Sequence, residues 1–138
     1  MYVKRFYYDD WSKENNIDQE IINPNWDEIE EIIVQMDGKK ITQITMDNGD
    51  EDNYFCIGGG NKHLFNVYVS LNDNEEIFNL VNPNANDGKI YKLVTGGQEG
   101  EFEEKICVSL EMVIRAAKAY YKDGKMEKSL NWLGNIDM

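Results

Sequence analysis

Residues 64–71 read Leu-Phe-Asn-Val-Tyr-Val-Ser-Leu. In an extended chain Phe65, Val67, Val69 and Leu71 fall on one side, and Asn66, Tyr68 and Ser70 on the other. A period of two marks a strand with one dry face and one wet face. A doubly wound parallel sheet does not suit the chain, because βαβ alternation is absent after residue 40 and the text provides too few helices. The segment needs neighbours in a sheet and an apolar cover on one side only.

The flanking text provides both. Strand-like stretches occur at 1–8, 40–47, 53–57, 76–81, 89–95 and 105–108, separated by turn signals such as Asp47-Asn48-Gly49-Asp50 and Asn72-Asp73-Asn74. Two helices are predicted. Asn25 with Glu28 three residues later forms a capping box, and Trp26, Ile29, Ile32, Ile33 and Met36 then recur at helical spacing up to Asp37-Gly38. Ser109 caps the second helix, Leu110, Val113, Ile114, Ala117 and Tyr121 form its inner stripe, and Gly124 suits the position just past its end. The polar stretch 11–23 reads as a loop, 126–133 as a short third helix carrying Leu130 and Trp132, and 134–138 as a tail. The expected fold is α+β: an antiparallel sheet of about five to seven strands with two main helices packed on one face. A single domain over 1–138 fits the length.

Charge narrows the function. Lys and Arg number 14 against 26 Asp and Glu, a net charge of −12. Such a chain is a poor match for nucleic acid or an anionic membrane surface, and it suits a basic macromolecular partner. No apolar run approaches the roughly 20 residues needed to span a bilayer. The first residues lack the apolar core of a secretory signal, so a cytoplasmic location is expected. Cys56 and Cys107 lie far apart in apolar runs. They read as buried, reduced thiols, with a disulfide the alternative.

Motifs for catalysis are weak. His63 stands alone between Lys62 and Leu64 and reads as a polar residue at a loop–strand junction. No nucleophile motif surrounds it, and no closely spaced ligand set points to a metal or another cofactor. The acids at 47–52 lack the spacing of a calcium loop and read as a solvated hairpin tip. Gly58-Gly59-Gly60 has no following Lys-Ser/Thr and enters a strand, so it is not a phosphate loop. Glu99 and Glu101 would repel phosphate at Gly96-Gly97-Gln98. Both glycine runs read as backbone devices that permit positive φ or close approach. Trp26 reads as core and Trp132 as a plug at one edge of it. Trp11, beside Asp9 and Asp10, reads equally as a loop aromatic or as an interface anchor, and Tyr7, Tyr8 and Tyr54 are open in the same way.

Several features recur together along most of the chain. They are Asn25-Trp26-Asp27 before a helix ending at Met36-Asp37-Gly38, and a strand ending in Gly58-Gly59-Gly60 that resumes at 64–71. Next come Gly96-Gly97-Gln98 with Glu101 after it, a helix with Ala116-Ala117 and Tyr120 ending at Gly124, and a terminal Trp132. In this order they resemble the bacterial polymorphic-toxin immunity proteins numbered first among such families, often encoded beside deaminase-type toxins. The resemblance implies a non-enzymatic inhibitor that binds a cognate toxin C-terminal domain, a deaminase or a nuclease. It also implies that these glycines and tryptophans maintain the fold.

A toxin that handles nucleic acid carries a basic groove, which an acidic inhibitor can reach quickly. Three acidic patches are candidates for that contact: Asp9-Asp10 with Trp11, Asp50-Glu51-Asp52, and Glu99 with Glu101. Ordinary solvated charge is the competing reading for each. Two other functions stay open: an acidic adaptor or DNA mimic, and a small enzyme working through carboxylates alone.

Overall fold

A computed structural model of the chain describes residues 1–134; of the expected tail at 134–138, Gly134 instead ends a strand and 135–138 lie outside the described residues. Nine strands and two helices follow one another among the described residues: β1 (Arg5–Tyr8), β2 (Gln19–Ile22), α1 (Trp26–Gln35), β3 (Gln43–Asp47), β4 (Tyr54–Gly59), β5 (Phe65–Leu71), β6 (Glu76–Leu80), β7 (Ile90–Thr95), β8 (Gln98–Glu103), α2 (Leu110–Asp123) and β9 (Trp132–Gly134). Seven strands form one sheet in the order β2-β1-β3-β4-β5-β6-β9, with every neighbouring pair antiparallel. β7 and β8 form a separate hairpin. The α+β class and the sheet size are as expected.

Alternation sorts the two faces. Phe6, Ile44, Met46, Phe55, Ile57, Phe65, Val67 and Val69 are buried on one face, in a cluster with Ile29 and Ile33 of α1 and Val113, Ala116 and Ala117 of α2. Each such side chain contributes roughly 1.5–3 kcal/mol by leaving water. The capping box at Asn25 and Glu28 is formed in both directions, with Glu28 N–H donating to Asn25 Oδ1 at 2.8 Å and Asn25 N–H to Glu28 Oε1 at 3.0 Å. Gly124 ends α2 at φ 69°, where a Cβ would press on the Tyr2 ring.

The structure departs from the sequence expectations at six further places. The first strand begins at Arg5, because the Tyr2 and Val3 N–H groups donate to the Tyr121 carbonyl at the end of α2. The supposed loop 11–23 contains β2, a short edge strand whose polar text hides it. The third helix is absent. Its segment runs back along α2 to the edge of β6 instead: Arg115 donates to Ser129 Oγ, Val81 N–H to the Asn131 carbonyl, and Trp132 enters β9 opposite Leu80. Residues 105–108 make no strand but a 3-10 turn, Glu104–Ile106, and a single bridge from Val108 to Phe65. β8 was not anticipated either. It pairs with β7 through a two-residue turn, Gly96 at φ 61° and Gly97 at φ 77°. Both central residues of this hairpin turn need positive φ, which glycine adopts without steric cost. The stripe of α2 is also turned slightly, so that Ala116 and Tyr120 are buried while Leu110 and Ile114 are half-buried.

Candidate functional site

The second face of the sheet has no helix over it. The register aligns one residue from each strand into a row across it: Glu20, Tyr7, Thr45, Cys56, Tyr68, Asn79 and Leu133. Thr45 and Cys56 are small and buried between two half-exposed tyrosines, Tyr7 and Tyr68. Burial raises the phenol pKa of both, so each stays a neutral hydroxyl at any physiological pH. Tyr54 stands edge-on to Tyr68 at 6.1 Å and donates to Asn74 Oδ1 at 2.7 Å.

One end of this face is closed by the β7–β8 hairpin. A Cβ on Gly58 would run into Thr95 Cγ2, one on Gly59 would meet Leu64 O at 2.9 Å, and one on Gly60 would meet the Met36 carbonyl at 2.7 Å. Gly58 and Gly59 are therefore a seat for the hairpin cut to backbone height, and Gly60 makes the same close approach to the end of α1. Asn61 fastens the hairpin onto it, donating to Lys92 O at 2.8 Å and accepting from Val94 N–H at 3.1 Å.

The hairpin tip is fastened by Asp9. This carboxylate, 6% exposed, accepts from Thr42 N–H at 2.8 Å, Gln43 N–H at 2.9 Å, Trp11 Nε1 at 2.7 Å and the Thr42 hydroxyl. The Thr42 oxygen in turn accepts from Gly97 N–H at 3.0 Å, and a Cβ on Gly97 would collide with the Trp11 indole. Asp9, Trp11, Gly96 and Gly97, distant in sequence, thus form one junction. Gln98 pairs with Thr95 to close the turn.

The other predicted residues are spread out. Asp10 is half-exposed. Its carboxyl lies below the usual range, chiefly through hydrogen bonds from Ser12, with Lys40 and Lys13 nearby. Asp50, Glu51 and Asp52 are exposed in the β3–β4 turn, at the opposite end of the strands from the Asp9 junction. Asp50 caps its own turn, and Glu51 pairs with Arg5 at 3.3 Å. Glu99 and Glu101 are exposed on β8, with Glu99 4.0 Å from Lys92. Trp26 is half-buried against Tyr121 at 5.9 Å, and Trp132 Nε1 donates to Glu127 O at 3.1 Å.

Two hollows flank Tyr7. One, of about 260 Å³, is lined by Tyr7, Tyr8, Asp9, Asn16, Asp18, Gln43, Thr45 and Gly96. The other, of about 320 Å³, is lined by Arg5, Tyr7, Asp18, Gln19, Glu20 and Glu51. Asp18 and Glu20 escaped sequence reasoning because they sit in or beside the unrecognised edge strand β2. Arg5, the one cation lining either hollow, is bound to Asp47 at 2.8 Å and stacks on the Tyr7 ring at 4.6 Å. Cys56 and Cys107 are both free and buried, and burial raises both thiols, Cys107 to about 11. Among the described residues no cluster of three or more His, Cys, Asp or Glu is placed to hold a metal.

The family model for Immunity protein Imm1 matches residues 17–133. The chain belongs to the Imm1 family. The match runs from the residue before Asp18 into β9, so it takes in β2, both helices, the triglycine seat and the Gly-Gly-Gln hairpin. Imm1 proteins are immunity proteins, the toxin-neutralising members of the polymorphic toxin systems used in competition between bacteria. No curated protein matches this chain. The glycine motifs of this Imm1 chain have a mechanical basis: Gly58, Gly59, Gly96 and Gly97 let the hairpin lie close to the sheet and Trp11, and Gly60 lets the chain pass the end of α1 at Met36.

Proposed function

We propose that this Imm1 protein neutralises a cognate toxin C-terminal domain by stoichiometric binding, without catalysis, in the cytoplasm of the cell that makes the toxin. The toxin acts on nucleic acid, as a deaminase or a nuclease, and its basic substrate groove is what the inhibitor occupies. The observation that carries this reading is the net charge of −12 on a member of an immunity family. A groove built to hold phosphates presents Lys and Arg, and an acidic protein is drawn to it faster than neutral diffusion allows.

A tagged pull-down from the native cells, read by mass spectrometry, tests the partner. The expected result is a one-to-one complex with a basic toxin domain whose activity on nucleic acid is lost in the complex. Recovery of a DNA-binding or metabolic partner instead would overturn the reading. Steering has its own signature: association slows at least about ten-fold from low to high salt. A rate indifferent to salt removes that part.

A further inference from the structure

We infer that the toxin is held on the uncovered sheet face, with Tyr7 as the anchor and the two hollows beside it receiving Lys or Arg side chains of the toxin. This rests on the toxin-neutralising reading above and adds the location and the chemistry of the contact.

Tyr7 stands between two depressions and lines both. A rigid aromatic ridge between pockets matches the anchors that dominate binding energy at protein interfaces. Tyr68 lies three positions along the same row, and buried Thr45 and Cys56 form the floor between them. The exposed side chain of Ile22, 60% accessible, extends the apolar surface at the β2 edge.

Charge selects the occupant. Asp18 borders both hollows, and Glu20 and Glu51 border the second. Arg5 is already engaged by Asp47 and Glu51, so it does not cancel the field of the remaining carboxylates. Arg5 also shows how a guanidinium lies on the Tyr7 ring. The helix side is mixed: α2 turns Arg115, Lys118 and Lys122 to solvent beside Glu111 and Asp123, and α1 exposes Asp27 and Glu31. A basic toxin side chain therefore meets complementary charge at the two hollows, and like charge at the Arg115, Lys118 and Lys122 patch of α2.

The hairpin sets the limit of the site. Gly96 lines the first hollow, and the Asp9 junction holds Gly96 and Gly97 in place. Gly96 thus forms part of the wall of the first hollow, in a position set by the Asp9 junction.

The test uses the full chain and, as probe, a catalytically inactivated C-terminal domain of the toxin encoded beside it. Binding kinetics are compared for wild type, Tyr7→Ala, the double variant Asp18→Lys with Glu20→Lys, and a control, Lys118→Glu with Lys122→Glu, on α2. Asp18 and Glu20 are exposed, so their reversal leaves the fold intact, and a thermal melt checks it. We expect Tyr7→Ala to speed dissociation about thirty-fold. The double reversal should slow association at least about ten-fold, while the α2 control changes it less than about three-fold. Wild-type binding with Tyr7→Ala and the double reversal unchanged overturns this location and leaves the toxin-neutralising reading standing. Loss confined to the α2 variant places the contact on the helices and overturns it equally. A wild-type chain that fails to bind the domain overturns both.

Discussion

Asp9→Ala is the substitution with the largest effect expected outside the apolar core. Its carboxylate takes hydrogen bonds from two backbone N–H groups, one indole N–H and one hydroxyl, all from residues it orders. The Trp11 indole is half-exposed and can turn toward water, and the Thr42 hydroxyl can rotate. The N–H groups of Thr42 and Gln43 cannot move without breaking the start of β3. Orphaning a buried donor costs about 1–3 kcal/mol, so the alanine variant should lose roughly 3–5 kcal/mol in all. Asp9→Asn keeps one oxygen for the two backbone donors but turns an amide toward Trp11, and should lose about 1.5–3 kcal/mol. Urea unfolding followed by tryptophan fluorescence and far-ultraviolet circular dichroism measures both. Trp11→Phe and the Asp9→Asn/Trp11→Phe double variant close a cycle with a coupling of roughly 0.5–3 kcal/mol. A loss under about 1 kcal/mol for Asp9→Ala would refute the view that this acid fastens the hairpin.

Three further predictions follow from the same geometry. Gly58→Ala forces a Cβ into Thr95 and should cost about 1–3 kcal/mol by overpacking, and Thr95→Ala in the same chain should recover part of it; an equal loss in the double variant would contradict the contact. Glu104 is held below the usual carboxylate range, first by the Asn86 N–H and then by the Tyr91 hydroxyl, with Lys89 3.8 Å away. Its contribution is therefore complete above the ordinary Glu value of about 4.3 and lost as pH falls through its lower folded value, so Glu104→Gln should be less stable at neutral pH and flatter in an acid titration. Cys107, raised to about 11, should react with iodoacetamide at pH 8 about a hundred-fold more slowly in the folded chain than in urea; equal rates would show it exposed.

Local signals in the sequence were reliable where one element decides its own conformation. The Asn25 capping box, the Ser109 cap, the Gly124 terminus and the alternation of 65–71 are all present in the structure, because neighbours in the chain determine them. The strand Gln19–Ile22 was not legible: an edge strand of four residues with a polar majority takes its conformation from β1 beside it. Likewise 126–133 has helical spacing but follows a left-handed glycine cap and is drawn to the open edge of β6. The candidate site divides in the same way. The glycine runs were recognisable as backbone devices, yet what they make room for, Thr95, Leu93 and Trp11, depends on tertiary placement. Asp9 and Asp10 look alike in sequence, and only the fold separates a buried carboxylate with four donors from a half-exposed one that caps a turn. The row from Glu20 to Leu133 joins seven strands and has no trace in any local pattern.

The central claim is that the toxin sits on the uncovered face of the sheet. Hydrogen–deuterium exchange of the chain, free and in complex with the toxin domain, tests it most directly. The account predicts new protection over 5–8 and 17–22 and in the loop between them, with 110–123 unchanged. Protection gathered on α2 and absent from β1 and β2 would contradict it.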